Sequence, residues 1–179
     1  MTTFVVLLRA INLGNVRRVP MADLRTVLTE AGYGDVTTHL QTGNVVLDHR
    51  ARKPVEVERA VEKALRRVFD FEIEVMARSA TQMKKVAASH PLLGARVSPA
   101  TLNVGFLKRR PTAAAADAVA DADFGRDRFM LRGSELYLQY PNGLGRSKMS
   151  PAFFERRLAT PLTVRSWKVV TKLVELSSG

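Results

Sequence analysis

The sequence predicts an α+β fold in two halves, and three observations predict it. Residues 3–78 alternate between strand-like and helix-like hydrophobic patterns in the order β-α-β-β-α-β. Periodicity is then lost over 90–99, where two prolines and a glycine fall close together. Beyond that break, a second series of strand and helix patterns continues towards the C-terminal end.

Each element has a local cause. Thr3 to Ile11 is an apolar run interrupted only by Arg9, the pattern of a strand buried on both faces. A basic, glycine-containing loop follows from Asn12 to Val19. Pro20 suits a first helical position, and Met21, Leu24, Leu28 and Ala31 recur at helical spacing until Gly32 ends the helix. Asp35 to Gln41 and Val45 to His49 form two strands joined tightly at Thr42-Gly43-Asn44. Pro54 to Phe69 carries Val57, Val61, Ala64, Leu65 and Val68 on one helical face, and Glu72 to Arg78 alternates as a strand. That order is the ferredoxin-like pattern. Ser79 with Gln82 matches a capping box and opens a third helix that ends before Pro91.

In the second half, Leu102 to Leu107 is a strand and Ala113 to Ala120 an alanine-rich helix. Phe129 to Leu131 and Glu135 to Tyr140 form a hairpin turning at Gly133-Ser134. Ser150-Pro151 opens a helix through Leu158, and a last helix over Arg165 to Leu176 turns Trp167, Val170, Leu173 and Val174 inward. The resulting β-α-β-β-α-α order is a degenerate echo of the first half, with no residue-level repeat behind it. The expected organisation is a ferredoxin-like subdomain over 1–89, a linker over 90–99 and a second α+β subdomain over 100–179.

Composition narrows the function classes. Among 179 residues, 46% are hydrophobic and 25% charged, the balance of a globular chain and not of a disordered one. There is no cysteine, which excludes a disulfide scaffold, a thiolate nucleophile and any Cys-based metal site. The net charge of +11 leans to the second half, with +4 over 1–89 and +7 over 90–179. Such a field attracts polyanions, whether nucleic acid or phosphorylated small molecules. Arginine supplies 20 of the 28 cations, so an arginine-rich composition is the competing account. No apolar run approaches the length of a membrane span or a signal-peptide core, so a cytoplasmic location without membrane contact is the expectation.

Three spaced motifs carry a family resemblance. The first is Leu7-Leu8-Arg9-Ala10-Ile11-Asn12-Leu13-Gly14, followed by Val19-Pro20-Met21-Ala22-Asp23-Leu24-Arg25. The second is Gln41-Thr42-Gly43-Asn44-Val45. The third is Arg146-Ser147-Lys148-Met149 with Thr163-Val164-Arg165-Ser166-Trp167-Lys168 and Lys172-Leu173. Together they resemble the bacterial family called domain of unknown function 1697. Ala10, Asn15, Thr42 and Ser166 depart from its pattern, the last replacing an amide by a hydroxyl. The resemblance implies an α+β fold with ferredoxin-like subdomains and supplies no activity, substrate or cofactor.

Candidate binding residues follow from topology. In a ferredoxin-like sheet the first and third strands are antiparallel neighbours, so Arg9 and Asn12 lie beside Gln41 and Asn44 where the first helix begins. Backbone amides, the helix dipole and Arg9 there favour an anion. The competing account has Arg9 and Asn44 satisfying backbone groups and fixing the hairpin. Gly143-Leu144-Gly145-Arg146-Ser147-Lys148 lets backbone approach a phosphate with Arg146 and Lys148 supplying charge, and Arg165 joins it through the third motif. It lacks P-loop spacing, and a turn followed by solvated bases is its plainer account. The three motifs are expected around one cleft between the halves.

Trp167 is read as core, with base stacking as the alternative. Lys108-Arg109-Arg110 with Arg126, Arg128 and Arg132 reads equally as edge-strand protection or as nucleic-acid contact. His39, His49 and His90 lack metal-ligand spacing, no G-x-S-x-G elbow exists, and Glu56, Glu58, Glu72 and Glu74 read as solvated. No cofactor or metal is expected. The first function class is a module for a phosphate-bearing, nucleotide-like anion. The alternatives are an enzyme using Arg, Lys and Asn electrostatics on a phosphorylated substrate, or non-specific nucleic-acid binding.

Overall fold

A computed structural model describes all 179 residues. They divide into two compact units, Met1–Lys85 with Lys172–Gly179, and Val86–Thr171. The first series of elements is β1 (Thr2–Leu8), α1 (Met21–Glu30), β2 (Gly34–His39), β3 (Asn44–His49), α2 (Pro54–Arg66), β4 (Val75–Ser79) and α3 (Ala80–Ala88). The second is β5 (Leu102–Leu107), α4 (Ala113–Ala120), β6 (Arg128–Arg132), β7 (Glu135–Gln139), α5 (Pro151–Leu158), β8 (Leu162–Ser166) and α6 (Trp167–Leu176). The sheets run β2-β3-β1-β4 and β6-β7-β5-β8, all neighbours antiparallel. Both are the ferredoxin-like order.

The second series is therefore β-α-β-β-α-β-α and corrects the expected β-α-β-β-α-α. Leu162 to Ser166 is a strand, and the last helix begins only at Trp167. The helical spacing of Trp167, Val170 and Leu173 extends backwards over Arg165 by coincidence, and five residues are too few to show alternation against it. With β8 in place, a residue-level repeat emerges. Arg78-Ser79 ends β4 and Arg165-Ser166 ends β8, with Arg78 opposite Val5 and Arg165 opposite Val104. Each arginine donates from Nη1 to the carbonyl before it, Ala77 at 2.8 Å and Val164 at 3.0 Å. Each serine hydroxyl then accepts an N–H of the helix that follows, from Gln82 and from Val169.

Other boundaries move for local reasons. β1 stops at Leu8 and not at Ile11, because Ala10 and Asn12 take positive φ. The Ser79–Gln82 capping box is formed in both directions. Thr112 and Ser150 cap α4 and α5 through their hydroxyls. In the first unit, Phe4, Val6, Leu8, Leu24, Leu28, Val45, Leu47, Val57 and Val61 pack one sheet face under α1 and α2. In the second, Leu107, Leu136, Leu138, Phe154 and Leu158 do the same. Burying each such side chain contributes about 1.5–3 kcal/mol.

Glu58 corrects its reading as solvated. It is buried and accepts the Ala77 N–H at 2.9 Å, while Glu62, one turn on, accepts the Val75 N–H at 2.9 Å. Two carboxylates of α2 thus satisfy outward donors of the edge strand β4, a sheet edge that would otherwise present unpaired groups. In the second unit Glu155 of α5 accepts the Leu162 N–H of the edge strand β8 at 2.9 Å.

Candidate functional site

At one end of the first sheet the structure gathers Arg9, Asn12, Gln41 and Asn44. Asn12 spends its whole carboxamide on backbone. Its Nδ2 donates to the carbonyls of Val19 at 2.9 Å and Gln41 at 2.7 Å, and its Oδ1 accepts the Val19 N–H at 2.7 Å. Those bonds close the 12–19 loop into a finger tied to the β2–β3 turn, with Leu13 and Val16 bridged across its exposed tip. Asn44 is fully buried and donates to the His39 carbonyl and the Thr42 hydroxyl, both at 2.9 Å. The Gln41 side chain is exposed. Arg9 is half-exposed, with Nη1 3.2 Å from the Glu74 carboxylate.

Arg17, which no pattern in the sequence singles out, is the main brace of the finger. It donates from Nε to Ala10 O at 2.7 Å and from Nη2 to Glu72 O at 2.5 Å, and its guanidinium lies 4.8 Å from the Phe71 ring centroid. Arg18 beside it is exposed.

In the second unit, the loop between β7 and α5 is pinned at its base. The buried Tyr140 hydroxyl donates to Met149 O at 2.9 Å, and burial pushes that phenol well above its ordinary value. The Ser147 hydroxyl donates to the Asp127 carboxylate and accepts the Met149 N–H. A short 3-10 turn, Leu144–Arg146, is thereby held outward. Arg146 at its end and Lys148 two residues on are exposed, and neither side chain makes a hydrogen bond or ion pair within the chain. At Gly143 and Gly145 the space a Cβ would enter is open. Arg165 is buried at the end of β8, donating to Thr163 Oγ1 at 2.7 Å besides its bond to Val164, and burial lowers its guanidinium to about 10.

Residues 1–137 match the family described as protein of unknown function, DUF1697. The chain belongs to the DUF1697 family. The matched stretch contains the first two motifs, and the Arg146 and Arg165 segments lie beyond it. A conserved bacterial protein from Streptococcus pneumoniae, SP0830, has a similar structure, with a TM-score of 0.73, 17% identity and 98% of each chain covered. At that identity the likeness shows the fold alone. No curated protein matches the chain.

The two halves of this DUF1697 protein differ most at two connections. β1 to α1 spans residues 9–20 where its counterpart spans 108–112, and β7 to α5 spans 140–150 where its counterpart spans 50–53. These longer connections are the finger and the Arg146–Lys148 loop. A repeated scaffold with two extended, braced loops separates what folds the chain from what it displays.

Arg9 is placed as an ion-pair partner near the surface, so replacing it tests its role directly. Arg9→Met is expected to cost at most about 1 kcal/mol in urea titration, the worth of an exposed pair. A loss several times larger would make Arg9 a fixture of the fold.

Proposed function

We propose that this DUF1697 protein is a binding module for a phosphate-bearing, nucleotide-like anion, anchored by Arg146 and Lys148. The observation that carries this reading is the pinned loop itself. Tyr140, Ser147 and Asp127 hold its backbone while two cations two residues apart, Arg146 and Lys148, make no ion pair. Like charges displayed on a rigid turn repel each other, and an anion relieves that repulsion while gaining charge-assisted hydrogen bonds. The net charge of +11 adds long-range attraction. Asn12, Asn44 and Arg165 act here as supports, because their polar groups are engaged with the chain's own backbone and hydroxyls.

Thermal melting in low salt, with and without millimolar pyrophosphate or ADP, tests the reading. Ligand at about 100 Kd adds about 2.7 kcal/mol to the parent, several degrees in Tm. Arg146→Ala with Lys148→Ala is expected to leave the unliganded Tm unchanged and abolish the rise. A parent indifferent to both anions overturns the proposal.

A further inference from the structure

We propose that the free edge of the second sheet, strand β6, accepts an acidic extended peptide as an added strand, a function independent of the Arg146–Lys148 loop. β6 is terminal in its sheet and pairs with β7 alone, over five consecutive residues without a register shift. The two-residue turn at Gly133-Ser134 makes Arg132 and Glu135 a hydrogen-bonded pair. By alternation Met130 and Arg128 also bond β7, which directs the N–H and C=O groups of Phe129 and Leu131 away from the sheet. Neither residue bonds anything outside the sheet.

Beside that edge runs a groove of about 560 Å3, lined by the apolar side chains of Ala116, Val119 and Ala120 of α4 and of Phe124, Phe129 and Leu131, together with the carboxylates of Asp117, Asp123 and Asp127. The alanine-rich composition of α4 is what keeps it open, since longer side chains on that helix would fill it. The equivalent edge in the first unit is closed. β2 carries a register shift between Gly34 and Thr37, and Arg25 of α1 donates to Thr38 Oγ1 across it at 2.6 Å. An open, regular edge with a small-residue helix beside it is the arrangement that binds peptides by strand addition.

Charge selects the occupant. Arg128 and Arg132 are exposed on one face of β6 with Met130 between them; Glu135 of β7 lies opposite Arg132, whereas Gln139 opposite Arg128 carries no charge, so a residue facing Arg128 on an added strand is the one most favoured when acidic. Alternate residues of that strand enter the groove, where Asp117, Asp123 and Asp127 disfavour a further carboxylate, so the acidic residues stay on the arginine face. The matching peptide alternates aliphatic and acidic residues. A second copy of the chain fits poorly, because pairing β6 with β6 brings like arginines together.

A fluorescein-labelled heptapeptide of alternating valine and glutamate is the probe, titrated by anisotropy at physiological salt. Saturable binding is expected, with slowed amide exchange at Phe129 and Leu131. Ala120→Leu, which fills the groove from an exposed position, should weaken binding by about tenfold or more. Arg128→Glu with Arg132→Glu should reverse the preference towards a valine–lysine heptapeptide. Absence of saturable binding, affinity unchanged in both variants, unaltered exchange at Phe129 and Leu131, or equal affinity of the parent for the lysine peptide each overturns the proposal. So does concentration-dependent dimerisation through β6, which would make a second copy the occupant.

Discussion

Gly43→Ala is expected to cost about 3 kcal/mol, whereas Gly133→Ala, in the equivalent hairpin of the second unit, should cost about 1 kcal/mol. Both glycines have positive φ, +77° and +62°, so backbone strain is common to the two. They differ in surroundings. A Cβ at Gly43 would stand 2.7 Å from Leu8 Cβ and 2.8 Å from Ile11 Cδ1. Ile11 can turn its terminal methyl aside, but Leu8 cannot withdraw its Cβ, since it is buried and its N–H donates to Gly43 O at 2.8 Å. At Gly133 the nearest atom is the flexible end of Glu135, 3.9 Å away. Urea titration of the two variants separates overpacking from strain. Equal losses would show that the close approach at Gly43 has relaxed away. Because Asn12 ties the finger to the Gln41 carbonyl, a shift at Gly43 should also loosen Leu13 to Arg18, seen as faster amide exchange there.

What the sequence revealed and concealed divides along physical lines. The β-α-β-β-α-β order of the first half was legible because apolar spacing is read locally, and the proximity of Arg9 and Asn12 to Gln41 and Asn44 followed from it. The alanine helix over 113–120 and the hairpin turn at Gly133-Ser134 were legible for the same reason. Interactions joining distant segments left no such trace. Glu58 shares a helix with solvated Glu56, and only the presence of β4 beside α2 distinguishes them. Arg17 looks like any basic loop residue, since the Glu72 carbonyl and the Phe71 ring that fix its guanidinium lie about 55 positions away. The likeness of the halves is legible only as a degenerate echo, because the five residues of β8 merge into the helix they precede. Once β8 is recognised, the shared Arg-Ser ending aligns the halves and isolates the two long loops as additions to a common scaffold.

His90→Ala is expected to cost about 3 kcal/mol and to flatten the dependence of stability on pH below neutrality. His90 is buried, edge-on to Tyr137 with centroids 5.0 Å apart and to Trp167 at 5.1 Å. Its two ring nitrogens have opposite roles. Nδ1 accepts the Leu92 N–H at 3.3 Å, and Nε2 donates to Asn103 O at 3.0 Å, which fixes the neutral tautomer protonated on Nε2. A second proton would have to enter at Nδ1, against an N–H already pointing there. Burial lowers the imidazole below its ordinary value of 6.5, and the bond to Asn103 O offsets that only in part. The unfolded chain therefore takes up the proton first as pH falls. Between 6.5 and the lower folded value, the unfolded state binds more protons than the folded one, so stability decreases with falling pH. Above 6.5 both states are neutral at this site and its full contribution is present. Urea midpoints for the parent and for His90→Ala between pH 8 and pH 5 are the measurement. The parent should lose stability through that window, and the variant should lose less while starting lower. Parallel curves would assign the acid sensitivity elsewhere and leave His90 as a packing residue.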